Sequence, residues 1–372
     1  MGQNPAVKES GRVNSEERLA EVRQRIDAID GELLRLLSAR AACASEVAHI
    51  KAEVGDSQFY RPGREAEVLR RIKTRNPGPL AGEAMARLFR EIMSACLALE
   101  QPLSVAFLGP AGTFTQAAAV KHFGHAANTV AVASINDVFR EVEARSCHYG
   151  VVPVENSTEG VINHTLDMFM RSPLSIAGEV SLRINHHLMS REPALAAIRI
   201  IYSHQQSLAQ CRGWLDRHLP LVERNAVDSN AEAARLAASH PGAAAVAGEA
   251  AADIYDLDIL ERCIEDEPGN TTRFLVIGTE DARPSGDDKT SLLISAHNEA
   301  GSLYALLEPF ASHGISMSRI ESRPSRRGLW DYVFFVDIDG HREDPLVAPA
   351  LESLRRASSL FRILGSYPKA VI

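Results

Sequence analysis

From Leu19 the apolar positions run Leu19, Val22, Ile26, Ile29, Leu33, Leu36, then Arg40, Cys43, Val47 and Ile50. The steps alternate between three and four residues, which is the seam of a heptad helix. One helix over Ser15–Glu53 would be roughly 55–60 Å long at ~1.5 Å per residue. That is too long for a compact monomer, so a second chain is expected to pair with it. Gly31 is a local weakness within it. A second helix is expected after Pro62. A third is expected over Gly82–Leu99, with Met85, Leu88, Phe89, Ile92 and Cys96 on one face. Beyond Gln101 the texture changes. The apolar runs SVAFLG, TVAVA, YGVVPV, IRIIYS, AAAVAG and RFLVIG alternate with helical stretches over residues 103–280. This is an α/β pattern, long enough for two lobes around a cleft. PSGDDK at 284–289 reads as a turn-rich linker. Residues 289–368 follow the order strand, helix, strand, strand, helix, strand, the ferredoxin-like βαββαβ arrangement. The expected domains are therefore 15–100, all α; 103–280, two α/β lobes; and 289–368, ferredoxin-like. The first 14 or so residues read as a disordered tail.

The length of 372 residues suits two or three domains. Hydrophobic content of 45% and charged content of 24% are those of an ordinary globular protein. The net charge of −8 argues against nucleic acid as a partner, although local charge can still bind a small anion. Cys43, Cys96, Cys147, Cys211 and Cys263 are scattered, with no CxxC pair. An odd, dispersed set points to a reducing compartment, the cytoplasm. The start has no apolar run typical of a secretory signal, and no stretch reads as a membrane span. No Cys/His grouping has metal-ligand spacing, so neither metal nor cofactor is expected.

Arg40 takes a seam position where an apolar residue belongs. It is either a snorkelling arginine at a frayed interface or a buried guanidinium whose anion is a ligand. Lys51 lies eleven residues on, about 20° round the helix and ~16 Å along it. Arg23 is ~25 Å from Arg40 and can join that site only from another subunit in an antiparallel pair. The segment LAEVRQRIDAIDGELLRLLSAR resembles the first helix of the all-α chorismate mutase family, whose members form entwined dimers with one arginine crossing from the partner. The resemblance implies that Arg23 is the crossing arginine and that Arg40 and Lys51 are the family's other cations. FYRPGREAEVLRRI is similar to the start of the second helix, which implies a substrate-binding role for Arg64 and Glu65. Cys96 and Glu100 fall where some members have Ser and Gln. The implied reaction is the Claisen rearrangement of chorismate to prephenate. It needs a compact diaxial conformer and cations where charge grows on the ether oxygen. An ionised Glu100 would repel that oxygen, so it must be protonated to help, a state that burial favours.

Three motifs sit at strand ends. GPAGTFTQ (109–116), containing Thr113, places glycines before a helix start that favours a carboxylate; alone, it is more often only a turn. VVPVENSTEG (151–160) clusters Glu155, Asn156, Ser157 and Thr158, which also reads as an N-cap cluster. NTTRFLVIG (270–278) sets Thr271, Thr272 and Arg273 before a strand. With YSHQQSLAQC (202–211), these resemble in order and spacing the prephenate dehydratase family, Gln205 replacing the family's proline. The family fold is two α/β lobes, similar to periplasmic binding proteins. The implied reaction is loss of carboxylate and hydroxyl from prephenate to give phenylpyruvate. Departure of hydroxide then needs an acid or a strong hydrogen-bond donor. The resemblance implies Thr272 at that place, as a positioned donor or relay. Thr113, Asn156, Ser157 and Gln206 are implied as polar partners, and Arg273 as a partner for a carboxylate. Glu155 is an alternative proton donor if the cleft raises its pKa. His186 and His187 read as structural.

NEAGSLYALLEPF (298–310) and ISMSRIESRP (315–324) resemble the phenylalanine-binding ACT domain. The resemblance implies that Gly301, Ser302 and Leu303, with Glu321, Ser322, Arg323 and Pro324, hold phenylalanine as an effector. Feedback then requires phenylalanine to bind one conformational state better than another. ACT domains pair side by side, so a homodimer or a dimer of dimers is expected. Three other readings compete: a dehydratase whose helical segment only dimerises, a non-catalytic amino-acid sensor, and arogenate as a substrate. Arg23, Arg40, Lys51, Arg64 and Glu65 occurring together favour both activities, and intact ENS and TRF segments argue against a mere sensor.

Overall fold

The computed structural model describes residues 5–55, 59–296, 299–324 and 332–372. Asn298 of the NEAGSL run lies outside the described residues. The chain forms two compact units. One holds the residues up to Phe59 together with Ala95–Gln101, and the other holds Tyr60–Ser94 with Pro102–Ile372.

The first unit is dominated by α1, a single helix over Pro5–Glu53 of 49 residues, about 73 Å long at ~1.5 Å per residue. It starts ahead of Ser15, where a tail was expected; a proline is tolerated in a first turn. The heptad seam stays open to solvent in the single chain. Leu19, Val22, Ile26, Ile29, Leu33 and Leu36 are 47–58% exposed.

Two further helices follow, α2 (Pro62–Arg75) and α3 (Gly82–Glu100). Within the second unit α2 buries Leu69 completely. Its Arg70 donates to the Ser285 and Asp287 carbonyl oxygens, so the expected linker is tied down. Just ahead of α2, Tyr60 is buried against Phe123 and Tyr149. Its hydroxyl lies 3.1 Å from His122 Nε2. Burial, reinforced by Arg90, pushes His122 down to about 3, so the ring is neutral.

The α/β portion opens with β1 (Ser104–Leu108), α4 (Phe114–Phe123), β2 (Asn128–Val132), α5 (Ile135–Glu143), β3 (Tyr149–Asn156), β4 (Gly160–Val161), α6 (Asn163–Phe169) and β5 (Ser175–Arg183). The chain then crosses into a second lobe: β6 (His187–Ser190), β7 (Ile200–His204), α7 (Gln205–Gln210), α8 (Arg212–His218), β8 (Glu223–Val227), α9 (Asn230–Ser239), β9 (Ala243–Ala247), α10 (Glu249–Tyr255) and β10 (Asp258–Glu261). It returns to the first lobe as β11 (Thr271–Gly278). The first sheet is ordered β2-β1-β3-β11-β5 with β4 on β3, and the second is ordered β10-β6-β9-β7-β8. All six expected apolar runs are strands. The strands outside those runs, β4, β5, β6, β8 and β10, are less uniformly apolar or very short, which hides their period.

The last portion is β12 (Asp288–Ser295), α11 (Ser302–Ser312), β13 (Met317–Pro324), β14 (Tyr332–Asp339), α12 (Val347–Ala357) and β15 (Leu360–Pro368), with sheet order β13-β14-β12-β15. Alternation decides what each face covers. Leu292, Ile294, Val336 and Ile338 pack under α11 and α12. Leu293, Val333, Phe335 and Tyr367 join the core of the first lobe, with Phe139, Phe169 and Ile277. At Gly365, β15 comes so close to β5 that a Cβ would overlap the Ile176 carbonyl. Backbone cannot move aside as a flexible side chain can, so Gly365→Ala is expected to destabilise the second unit by about 3 kcal/mol. A urea melt showing an unchanged midpoint would contradict that close approach.

Candidate active sites

The two lobes enclose a cleft of ≈ 720 Å³. The chain crosses between them twice, and the crossings are bonded to each other. Ile184 N–H donates to Asn270 O and Ile264 N–H to His186 O, both at 2.8 Å. Residues on these crossings therefore sit at the cleft floor.

β3 and β11 pair antiparallel, with Thr272 opposite Asn156 and Arg273 opposite Glu155. Strand side chains alternate between faces. Thr272 and Asn156 accordingly face the cleft, whereas Glu155 and Arg273 are not among its lining residues. Asn156 Nδ2 donates to Thr272 Oγ1 at 2.8 Å and to Asn270 Oδ1 at 2.8 Å. Asn156 Oδ1 accepts the backbone N–H groups of Thr158 and Glu159, each at 3.0 Å. Ser157 does not line the cleft; its hydroxyl accepts from Thr271 N–H at 2.9 Å and donates to Asn270 Oδ1 at 3.3 Å.

Thr113 caps α4 and lines the cleft from the first lobe, and Ser229 caps α9 and lines it from the second. Each helix start presents N–H groups and a partial positive charge. Gln206 also lines the cleft and reaches across to Glu159 Oε2 at 3.4 Å. No lysine or arginine is among the described lining residues. A doubly negative ligand would therefore be held by helix starts, amides and hydroxyls instead of fixed cations.

Glu155 and Arg273 face the ferredoxin-like sheet. Glu155 pairs with Arg319 at 3.3 Å. Arg273 bonds Glu179 at 2.9 Å, Asp337 at 2.6 Å and the Tyr367 hydroxyl at 3.0 Å. Its expected carboxylate partners are thus protein side chains. Burial opposes its charge, but Tyr367, Asp337 and Glu179 outweigh that and raise its pKa.

The sequence reading passed over Asn270, Gln210 and Glu159, and it took His186 as purely structural. All four line the cleft. Asn270 directly precedes the TTRF run, and Gln210 lies one helical turn beyond Gln206, so adjacency was the available signal. His187 instead accepts from Cys263 N–H at 3.1 Å.

In the first unit, neither Arg23 nor Arg40 has a hydrogen-bond or ion-pair partner among the described residues; Arg23 is exposed and Arg40 half-buried. Lys51 donates to Phe59 O at 3.2 Å and lies 3.9 Å from Glu100 Oε2. The Glu100 side chain is 8% exposed and its Oε2 has no hydrogen bond. Burial raises its pKa, and Lys51 opposes this. Cys96 is buried. In the second unit, Arg64 is exposed and paired with Glu67 at 2.7 Å. Glu65 is buried beside Arg90 at 3.2 Å.

In the last portion, Gly301 adopts φ 85° as the N-cap of α11, a conformation glycine takes without strain. Ser302 begins the helix and Leu303 is exposed. Glu321, Ser322, Arg323 and Pro324 close the edge strand β13. Arg323 is committed to Asp167 at 2.6 Å and to Asn163 of α6.

Family models match three segments: chorismate mutase type II over residues 22–101, prephenate dehydratase over 105–282, and the ACT domain over 290–356. A bifunctional chorismate mutase/prephenate dehydratase of Pseudomonas aeruginosa is 55% identical over 96% of this chain and 99% of its own length. The structure of an Arthrobacter aurescens prephenate dehydratase in complex with L-Phe is 36% identical with a TM-score of 0.66, covering 72% of this chain and 90% of that one. A quorum-quenching acylase, GqqA, superposes with a TM-score of 0.67 at 29% identity, covering 72% of this chain and 98% of that one. The fold alone therefore does not select the reaction, whereas near full-length identity to a two-activity enzyme does. The chain belongs to the bifunctional chorismate mutase/prephenate dehydratase family, an enzyme of phenylalanine biosynthesis with a C-terminal ACT domain.

Proposed function

We propose that residues 15–100 rearrange chorismate to prephenate, residues 103–280 convert prephenate to phenylpyruvate, and residues 289–368 take phenylalanine as a feedback effector. The observation that carries the dehydratase assignment is the Thr272 hydroxyl, held by Asn156 in a cleft with no lysine or arginine among its described lining residues. Prephenate enters with its carboxylates toward the starts of α4 and α9. The bond from ring to carboxylate breaks, its electron pair enters the ring, and the opposite C–O bond breaks. The Thr272 O–H donates a hydrogen bond to the departing hydroxyl and keeps its proton, and the hydroxide released takes a proton from solvent. A carboxylate unpaired with any guanidinium or ammonium is freer to leave as carbon dioxide. Asn156, Gln206 and Thr113 orient the substrate, and Ser157 steadies the turn behind it. Glu155, paired with Arg319 off the cleft, is not assigned the proton.

For the mutase, Arg40 and Lys51 hold the substrate carboxylates and ether oxygen, with protonated Glu100 as a donor. Cys96, Arg64 and Glu65 are proposed as substrate contacts. Arg23 is supplied by a second copy, which also covers the exposed seam of α1; half-exposed leucines and isoleucines along one face support such a dimer. Pairing along the edge strand β13 would allow a dimer of dimers. Gly301, Ser302 and Leu303 with Glu321, Ser322, Arg323 and Pro324 frame the effector site. The five free cysteines suit a cytoplasmic location. No helix among the described residues is long and apolar enough to cross a membrane.

Given chorismate as sole substrate, the purified chain is expected to form phenylpyruvate, less of it when phenylalanine is added. Accumulation of prephenate alone would refute the Thr272 assignment. Turnover of added prephenate but not of chorismate would refute the Arg40 assignment. Thr272→Val should lower dehydratase kcat by about 10²-fold or more, the range for a lost hydrogen-bond donor. Because burial raises the Glu100 pKa and its protonated form is the active one, mutase kcat/KM should fall as pH rises through that pKa. Glu100→Gln should flatten the profile; superimposable profiles for the two proteins would sink the idea.

A further inference from the structure

We propose that Asn270 is a positioning residue of the dehydratase, acting through Asn156 to aim the Thr272 hydroxyl hydrogen into the cleft. The inference rests on Thr272 being the donor at the leaving hydroxyl. Its starting point is the turn after β3. Because Asn156 Oδ1 accepts two backbone N–H groups, its amide nitrogen must face the other way. That nitrogen has two hydrogens and two acceptors, Thr272 Oγ1 and Asn270 Oδ1, each at 2.8 Å. A hydroxyl that accepts keeps its own hydrogen for another partner. Thr272 donates to no described residue and lines the cleft, so its hydrogen is left for a ligand there.

Asn270 is held in the complementary sense. Its Nδ2 donates to Gln210 Oε1 at 3.3 Å. The same oxygen lies 2.8 Å from His186 Nε2, and Gln210 Nε2 donates to Glu159 Oε1 at 3.3 Å. His186 is 2% exposed, and burial lowers its pKa. A neutral ring facing an amide oxygen carries its single hydrogen on Nε2. From His186 through Gln210, Asn270 and Asn156 to Thr272, every group thus points its donor in a compatible direction. Reversing the Asn270 amide would set NH₂ against NH₂ at Asn156 and oxygen against oxygen at Gln210. Removing it would leave Asn156 with one acceptor and a looser hold on Thr272. Asn270 itself touches Asn156, Ser157 and Gln210, and its part in the chemistry is to fix the amide that fixes the hydroxyl.

The test uses the full chain with prephenate as substrate and compares wild type, Asn270→Ala, Asn156→Ala and the double variant. Asn270→Ala should lower kcat by about 10- to 100-fold, the scale of a small misplacement of a reacting group, with KM changed by less than about threefold. In the Asn156→Ala background the same change should cost less than about twofold, because residues acting as one unit are not additive. Wild-type kcat, an effect on KM alone, or additive losses would overturn the proposal. Thr272→Val separates it from the reading beneath. If that variant keeps wild-type kcat, both fall; if it loses kcat while Asn270→Ala does not, only the proposal falls. Should Asn270→Ala melt well below wild type, Asn270→Asp decides. Its carboxyl can donate to Gln210 only when protonated, so kcat should recover toward acid pH relative to wild type. A ratio that does not change with pH would overturn the proposal.

Discussion

Arg273 carries its charge to a site only 15% exposed, and the groups that bond it there come from two sheets. Glu179 belongs to β5 of the first lobe; Asp337 and Tyr367 belong to β14 and β15 of the ACT portion. A buried guanidinium stripped of a partner destabilises by about 3–5 kcal/mol, so these strands are obliged to stay together. Lys289 adds a second cation on Glu179 at 2.8 Å. Because Arg273 follows Thr272 on β11, the pleat sends one to the ACT sheet and the other into the cleft. The same step separates Glu155 from Asn156 on β3. The ACT sheet and the Thr272 hydroxyl are therefore neighbours along two strands.

Most of the architecture could be read from periodicity. The long helix, the six apolar strands and the βαββαβ order each follow from spacing alone. Periodicity had less to say about Tyr60–Ser94. Nothing in the pattern of α2 announces that Leu69 is fully buried or that Arg70 bonds the linker at Ser285 and Asp287, because amphipathicity names a face without naming what covers it.

The dehydratase site was legible as motifs and less so as geometry. Thr272 and Asn156 were named together without knowing that they face each other across a strand pair. Arg273 and Glu155 were named with them because they are adjacent in sequence, yet period-two alternation places them on the opposite face. Asn270 and Gln210 escaped notice because one sits on an irregular crossing and the other on a short helix. Only tertiary structure brings Asn270 to Asn156 and Gln210 to Asn270.

The two crossings between lobes also constrain how the chain is made. β11 lies inside the first sheet, between β3 and the edge strand β5, but it comes after the whole second lobe in sequence. During synthesis β5 is completed at Arg183 and must wait for its hydrogen-bonding partner until Gly278 has emerged. The second lobe has all five of its strands by Glu261. The inserted lobe can thus close first on the ribosome while β5 stands apart from the rest of the host sheet. That order exposes unpaired strand edges in the nascent chain, and the strand that ends the exposure is the one carrying Thr272.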